Sequence, residues 1–228
     1  MDQDVSINRK LKISSFNCKS LKRSEDSVRS LCALSDVIAL QETWPLPHDL
    51  AYLSAVHKDF AGTGTSAVDT SEGVLRGRPY GGVALLWRKS AFSLVSVVKC
   101  NNVRLCAIKC KIREFNMLIF SVYMPTDCAD NLPEFTDCLS EINAVVEDSE
   151  IGMVFVLGDF NAHPGELFFE EMQLFCSEQK WYCVDYNMLS NNGESYTYKS
   201  DAHGCTRWLD HCLVTSMAKD YVKNVTIN

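Results

Sequence analysis

Apolar runs of strand length recur along this chain and alternate with amphipathic stretches, so it has to bury strands between covering layers. Leu11–Phe16 reads as a strand ending at Asn17, and Val37–Leu40 as a buried strand ending at Gln41-Glu42. The segment from Ala61 to Arg78 is rich in Gly, Ser and Thr and reads as loop. Four strand-like runs follow it: Gly82–Trp87, Phe92–Val98, Val103–Ile112 and Phe115–Tyr123. Met153–Leu157 is apolar throughout, and Trp208–Val214 and Tyr221–Ile227 read as late strands. Helices are expected over Ser24–Leu34, Pro133–Val146 and Glu166–Cys176, most clearly where Phe135, Leu139, Ile142 and Val146 repeat at helical spacing. This mixture predicts an α/β fold: two mixed, mostly antiparallel sheets packed face to face, with helices outside. The 228 residues contain no internal repeat and no linker, so a single domain over 1–228 is expected.

Composition narrows the setting. A net charge of −7 argues against binding polyanions through bulk charge, so a phosphate-bearing ligand would need local basic groups or a divalent cation. The 11 cysteines are an odd number with no C-x-x-C, and several stand in apolar runs. They read as small buried hydrophobes in a reducing compartment rather than as a disulfide framework. No apolar run approaches the ~20 residues that cross a bilayer, and Met1 to Lys12 lacks the apolar core of a secretory signal. The expected location is intracellular, nuclear or cytoplasmic, with no membrane partner.

Polar residues stand at the ends of the apolar runs. Asn17, Glu42, Tyr123 and Asp159 each sit at or just past the C-terminal end of one, where rigid strands can aim side chains into a common cleft. In Gly158-Asp159-Phe160-Asn161, the Asp and Asn are two apart and face the same way in an extended segment, while Phe160 turns to the core. A carboxylate beside a carboxamide can orient a water and hold a phosphate oxygen. Taken singly, each has a plainer reading: an Asx turn for Asp159 and Asn161, a helix cap for Glu42, a loop residue for Asn17, and an amphipathic packing residue for Tyr123. His48, His57, His163 and His203 read as surface or loop residues, because no pair has metal-ligand spacing on one helix.

The ordered set is more informative than its members. Asn17, Gln41-Glu42, Tyr123-Met124-Pro125, Gly158-Asp159-Phe160-Asn161 and Trp208-Leu209-Asp210-His211 resemble the endonuclease/exonuclease/phosphatase superfamily. Three further stretches make the chain most similar to the endonuclease domains of non-LTR (LINE-type) retrotransposons. They are Gly77-Arg78-Pro79-Tyr80-Gly81-Gly82-Val83, Tyr196-Thr197-Tyr198, and Ser200-Asp201-Ala202-His203-Gly204. The resemblance implies a four-layered α/β sandwich that cleaves phosphodiesters with a divalent cation, magnesium or alternatively manganese. It implies Glu42 and Asn17 as metal ligands, Asp159 as the group that orients or deprotonates water, and Asn161 as a donor to a phosphate oxygen. Tyr123 and Thr197 would bring hydroxyls to the phosphate. The implied partners are double-stranded DNA and a reverse transcriptase domain in a parent polyprotein. A superfamily phosphatase, an abasic-site repair nuclease, or a non-catalytic DNA-binding relic of the fold are the alternatives.

One departure stands out. Superfamily members end on a Ser-Asp-His or Thr-Asp-His triplet one strand beyond the position of Asp210. Its His contacts the phosphate and is oriented by the Asp210 equivalent. No such triplet occurs in this sequence. His211 is no substitute, because neighbours on a strand point to opposite faces. The expectation is a domain truncated at its C-terminus, lacking the last strand, with a free sheet edge and weak or no activity. For DNA contacts, Asn191–Arg207 reads as a hairpin with Asn191-Asn192-Gly193 as its turn. Lys199 and Arg207 would pair with phosphates and Tyr196 or Tyr198 would stack or wedge, with Arg76 and Arg78 lining the same groove.

Overall fold

The apolar runs pair into two sheets. The computed structural model describes residues 10–70, 73, 77–190, 195–200 and 204–228. Strands β1 (Ile13–Asn17), β2 (Val37–Gln41), β3 (Phe60–Gly64) and β4 (Val83–Arg88) form one sheet in the order β1-β2-β4-β3. Strands β5 (Leu94–Val98), β6 (Leu105–Ile112), β7 (Phe115–Tyr123), β8 (Met153–Asp159) and β9 (Trp181–Cys183) belong to the other. A short antiparallel hairpin, β10 (Tyr198–Lys199) with β11 (Thr206–Arg207), precedes β12 (Asp210–Thr215). The second sheet then runs β5-β6-β7-β8-β12-β9. Among the described residues only β1–β2 and β7–β8 are parallel, so the sheets are mixed and mostly antiparallel as expected.

Side-chain alternation explains why the strands read as unbroken apolar runs: both faces are covered. Along β2, Val37 and Ala39 face the inter-sheet core with Val83 and Leu85, whereas Ile38 and Leu40 face outward. The outward face is covered by α1 (Glu25–Leu34), through Val28 and Cys32, and by a 3-10 stretch at Pro47–Ala55, through Leu53. On the larger sheet, Ile108, Ile119 and Leu157 point between the sheets. Leu118, Phe120 and Val156 point to the outer layer of α2 (Leu132–Ser149) and α3 (Leu167–Gln179). Phe135 of α2 stacks on Phe168 of α3 with ring centroids 4.2 Å apart. Short helices α4 (Val184–Leu189) and α5 (Ser216–Lys219) directly follow β9 and β12 in the chain. The result is the four-layered sandwich, helix, sheet, sheet, helix. No helix among the described residues is long and apolar enough to cross a membrane.

Several expected boundaries are corrected. Phe60–Gly64 is a strand, not loop, because Gly62 and Gly64 let it lie against Leu53 and Leu86, where a Cβ would collide at 2.5 to 3.1 Å. The run expected from Phe92 begins as a ladder at Leu94, and that from Val103 at Leu105. Tyr221–Ile227 forms no ladder; Val222 and Val225 instead pack against the inter-sheet core, which accounts for its strand-like look. Tyr198–Lys199 pairs antiparallel with Thr206–Arg207, so the two strands of the hairpin are connected by the chain between Lys199 and Thr206; Asn191-Asn192-Gly193, expected as its turn, lies outside the described residues. Strand β1 pairs with β2 alone among the described residues, so its other edge carries no ladder.

Register brings the polar strand ends together. Parallel β1 and β2 set Asn17 opposite Gln41, with Glu42 next, and parallel β7 and β8 set Tyr123 opposite Asp159. Antiparallel β12 starts with Asp210 opposite that same Asp159.

Candidate active site

Asn17 is the hinge of the cluster. Its Nδ2 donates to Glu42 Oε1 at 2.8 Å and to Asp159 Oδ2 at 2.9 Å, so one carboxamide ties a carboxylate of the smaller sheet to one of the larger. Beneath it, Gln41 is fully buried and joins the sheets again: its Nε2 donates to Ser121 Oγ at 3.1 Å, while Ser15 Oγ donates to its Oε1 at 3.3 Å. Glu42 holds a left-handed backbone with φ 52°, as does Trp44 with φ 56°, strained values for non-glycine residues. Backbone donors Thr43 and Trp44 are held by the Gly82 and Gly81 carbonyls, which fixes the turn that presents Glu42.

Asp159 is buried, and both its oxygens accept hydrogen bonds. Oδ2 takes Asn17, and Oδ1 takes the Asn161 backbone N–H at 3.0 Å. Asn161 in turn has φ 51° and donates Nδ2 to the Met124 carbonyl at 2.9 Å, leaving its other amide hydrogen and Oδ1 for a ligand. Burial pushes the Asp159 carboxyl above the ordinary range; Asn17 and the Asn161 N–H pull it down, and Glu42 pushes it further up. Tyr123 is pushed up to about 12, first by burial and then by Glu42 and Asp159, so its hydroxyl keeps its proton at neutral pH.

Asp210 faces the same cluster. Thr197 Oγ1 accepts the Leu209 and Asp210 backbone N–H groups at 2.9 and 3.0 Å, and its hydroxyl also supports the Asp210 carboxylate. Thr197 therefore holds Asp210 in place, and its hydroxyl is committed within the protein. Burial, then the Asp159 charge, pushes Asp210 up to about 7. A carboxyl raised above its unfolded value of roughly 3.9 stabilises the fold fully below that value and loses its contribution as pH rises through 7. In chelator-treated protein, Asp210→Asn is expected to melt several degrees above the unsubstituted chain at pH 8.5, with the gap narrowing as pH falls and closing near pH 3. Thermal melts of both proteins across that range check this, and a gap independent of pH contradicts it.

The expected DNA-facing residues fare differently. Lys199 and Arg78 are exposed, and Tyr196 is 43% exposed. Lys19 Nζ lies over the Tyr198 ring, 5.2 Å from its centroid. Arg207 is paired with Glu166, so its charge is already partnered. Arg76 and Asp201-Ala202-His203 lie outside the described residues. Lys19 and Arg23 were not expected: they follow Asn17 on the loop into α1, and Arg23 lies 5.9 Å from the centroid of the Trp44 ring. A Lys-x-x-Lys-Arg spacing just past a site residue was the signal available. His211, as expected, turns away from Asp210 and is buried on the opposite side.

Among the described residues, no Lys or Arg is within ion-pair distance of Glu42, Asp159 or Asp210. Three carboxylates thus converge with amide and hydroxyl donors but no side-chain cation. This oxygen-rich set suits a hard divalent ion.

A family model described as the Endonuclease/Exonuclease/phosphatase family matches residues 14–223. Among solved structures, the AP endonuclease LMAP from Leishmania major superposes with a TM-score of 0.73 at 12% identity, covering 98% of this chain and 84% of that one. The 3' phosphatase NExo from Neisseria, bound to product DNA hairpin, gives 0.65 at 17% identity, covering 91% and 87%. The endonuclease domain of TRAS1, a telomere-specific non-LTR retrotransposon, gives 0.64 at 12% identity, covering 92% and 87%. A search of curated proteins finds no match.

Proposed function

The chain belongs to the endonuclease/exonuclease/phosphatase family, and on that ground we propose that it is a magnesium-dependent DNA endonuclease, of the kind that nicks a target strand to prime reverse transcription. The observation that carries the reading is the Asn17 carboxamide bridging Glu42 and Asp159. Three strands from two sheets spend their ends on one small volume rich in carboxylates. Such a volume is costly unless it holds a cation and a phosphate. The retrotransposon role rests on the Tyr196-Thr197-Tyr198 hairpin region and the likeness to the TRAS1 domain, and a reverse transcriptase in the same polyprotein is part of that proposal.

Glu42 and Asn17 would hold the divalent ion, magnesium or manganese, which supplies charge neutralisation at the phosphate and lowers the pKa of a bound water. The chain's own groups do the rest. Asp159, held through both oxygens, orients the attacking water and accepts its proton. Asn161 offers its remaining amide hydrogen to a non-bridging oxygen, and the protonated Tyr123 hydroxyl, which donates to Glu42, braces that carboxylate beside the phosphate. Lys19 and Lys199 meet the flanking phosphates, while Tyr196 and Tyr198 present rings to the groove. No described imidazole is turned to the phosphate from β12, since His211 is buried behind it, so slow turnover is expected.

Supercoiled plasmid incubated with excess protein is expected to be nicked in magnesium and spared in chelator. Glu42→Gln should weaken manganese binding tenfold or more, about 1.4 kcal/mol, and slow nicking in step. Equal nicking by Glu42→Gln and the unsubstituted chain would remove Glu42 from the mechanism. Faster hydrolysis of an abasic duplex or of inositol phosphates than of plasmid would replace the target-nicking reading with a repair or phosphatase one.

A further inference from the structure

Behind the site lies a second, fully buried cluster that the reaction does not touch. His211 Nε2 lies 2.7 Å from the Ala162 carbonyl, and its Nδ1 lies 2.8 Å from Asp185 Oδ2. Asp185 at the start of α4 is itself saturated: Oδ2 also accepts Trp208 Nε1 at 3.0 Å, and Oδ1 accepts the Cys212 backbone N–H at 2.7 Å and the Cys183 thiol at 3.3 Å. Cys183, Asp185 and His211 would be close enough to share a metal, but these bonds already occupy their ligand atoms. The ring is packed among Phe160, Phe169 and Trp208.

A carbonyl only accepts, so Nε2 must carry a proton to make the bond to Ala162. That bond pins the residue directly after Asn161. Asn161 uses a left-handed backbone to cap Asp159 Oδ1 and to hold Met124. Such a conformation persists only where surrounding contacts over-determine it. The same β12 backbone that presents Asp210 to the site therefore carries, one residue on and facing away, the group that fixes the opposite wall.

We propose that His211, oriented by Asp185, is a positioning residue that holds the Asn161-Ala162 turn in its working conformation through the Nε2–H to Ala162 bond. The catalytic consequence rests on the function proposed above; the structural one does not. Burial alone would depress the His211 pKa, but the Asp185 carboxylate and the two hydrogen bonds outweigh it and hold it above the ordinary range. The charged and acidic groups that act on the ring are Asp185 from α4, bonded to Nδ1, and, by charge alone from the other side of β12, Asp210 and Asp159 of β8, with Cys183 beside Nδ1. The bond to Ala162 needs only the Nε2 proton, which both the charged ring and the neutral Nε2–H tautomer carry.

The test compares His211→Phe, which keeps an aromatic ring and loses the donor, with His211→Gln, whose terminal amide reaches toward the Nε2 position. His211→Phe is expected to lower the single-turnover nicking rate about 10- to 100-fold at unchanged DNA affinity, as removal of an outer support does elsewhere. It should also speed hydrogen exchange of the Asn161 amide and shift its resonance. His211→Gln should recover most of both. The Asn161 amide reports independently of catalysis, so a chain without nuclease activity still decides the matter. An unchanged Asn161 amide in His211→Phe overturns the proposal, and so does a His211→Gln no better than His211→Phe. Should His211→Phe not fold, nitrogen-15 histidine spectra of the unsubstituted chain serve: a protonated Nε2 supports the bond and an unprotonated one refutes it.

Discussion

Asp159→Asn is expected to cut the nicking rate about 10²- to 10⁴-fold, the range for loss of a general base, while leaving the melting temperature equal or higher. The substitution keeps size and shape, so the reason lies in hydrogen-bond polarity. Both Asp159 oxygens accept, one from Asn17 and one from the Asn161 backbone. A carboxamide has one acceptor and one donor end, so one of those partners would face a donor. It also cannot take a proton from water. Stability moves the other way because the native carboxylate is buried beside Glu42 and opposite Asp210 in the ladder, and burial raises its pKa. A neutral side chain relieves that repulsion, so a site whose groups are held for chemistry is a site held at a cost to folding. Nicking assays and melts on the same preparation check both halves. Retained nicking would remove Asp159 as the base, and a large fall in melting temperature would show that its role is structural.

Asn17, Glu42, Tyr123 and Asp159 could be picked out in the sequence because each ends an apolar run, whereas Asp210, which opens one, came from the family resemblance. A polar residue at the mouth of a buried strand needs a reason to be there. The run lengths and the helical spacing of Phe135, Leu139 and Ile142 carried the two-sheet sandwich for the same reason. What was not legible depended on partners far along the chain. Asp185 looks like an ordinary helix-start acid, and only the fold brings it to His211, 26 residues on. The strand at Phe60–Gly64 was hidden by its Gly and Thr content, which reads as loop until Leu53 and Leu86 are seen pressing on it. Val222 and Val225 mimic a strand because they are partly buried against the core, yet no ladder partner lies beside them among the described residues. Thr197 was suggested by resemblance alone; local pattern could not reveal that its hydroxyl would hold the start of β12.

Gly158→Ala joins the fold and the site in one position and is expected to destabilise the protein by about 3 kcal/mol or more, roughly 6 °C or more in melting temperature. Gly158 stands opposite Val122 in the parallel β7–β8 ladder. A Cβ there would lie 2.0 Å from the Val122 carbonyl oxygen and 2.9 Å from its backbone N and C. Those are backbone atoms in the middle of the larger sheet, with Val122 fully buried, so no side chain can swing aside to make room. The strands would have to part at the point where β7 delivers Tyr123 and β8 delivers Asp159. Those two residues lie immediately beyond the clash, so activity should fall even at temperatures where the variant remains folded. Gly165→Ala is the control: it also has a positive φ, 85°, but a Cβ there meets nothing within 4 Å, so only the modest backbone strain remains. If the two substitutions cost the same, close packing of β7 on β8 is not what demands glycine before Asp159, and the tightness of that strand pair ceases to explain how the carboxylate is aimed.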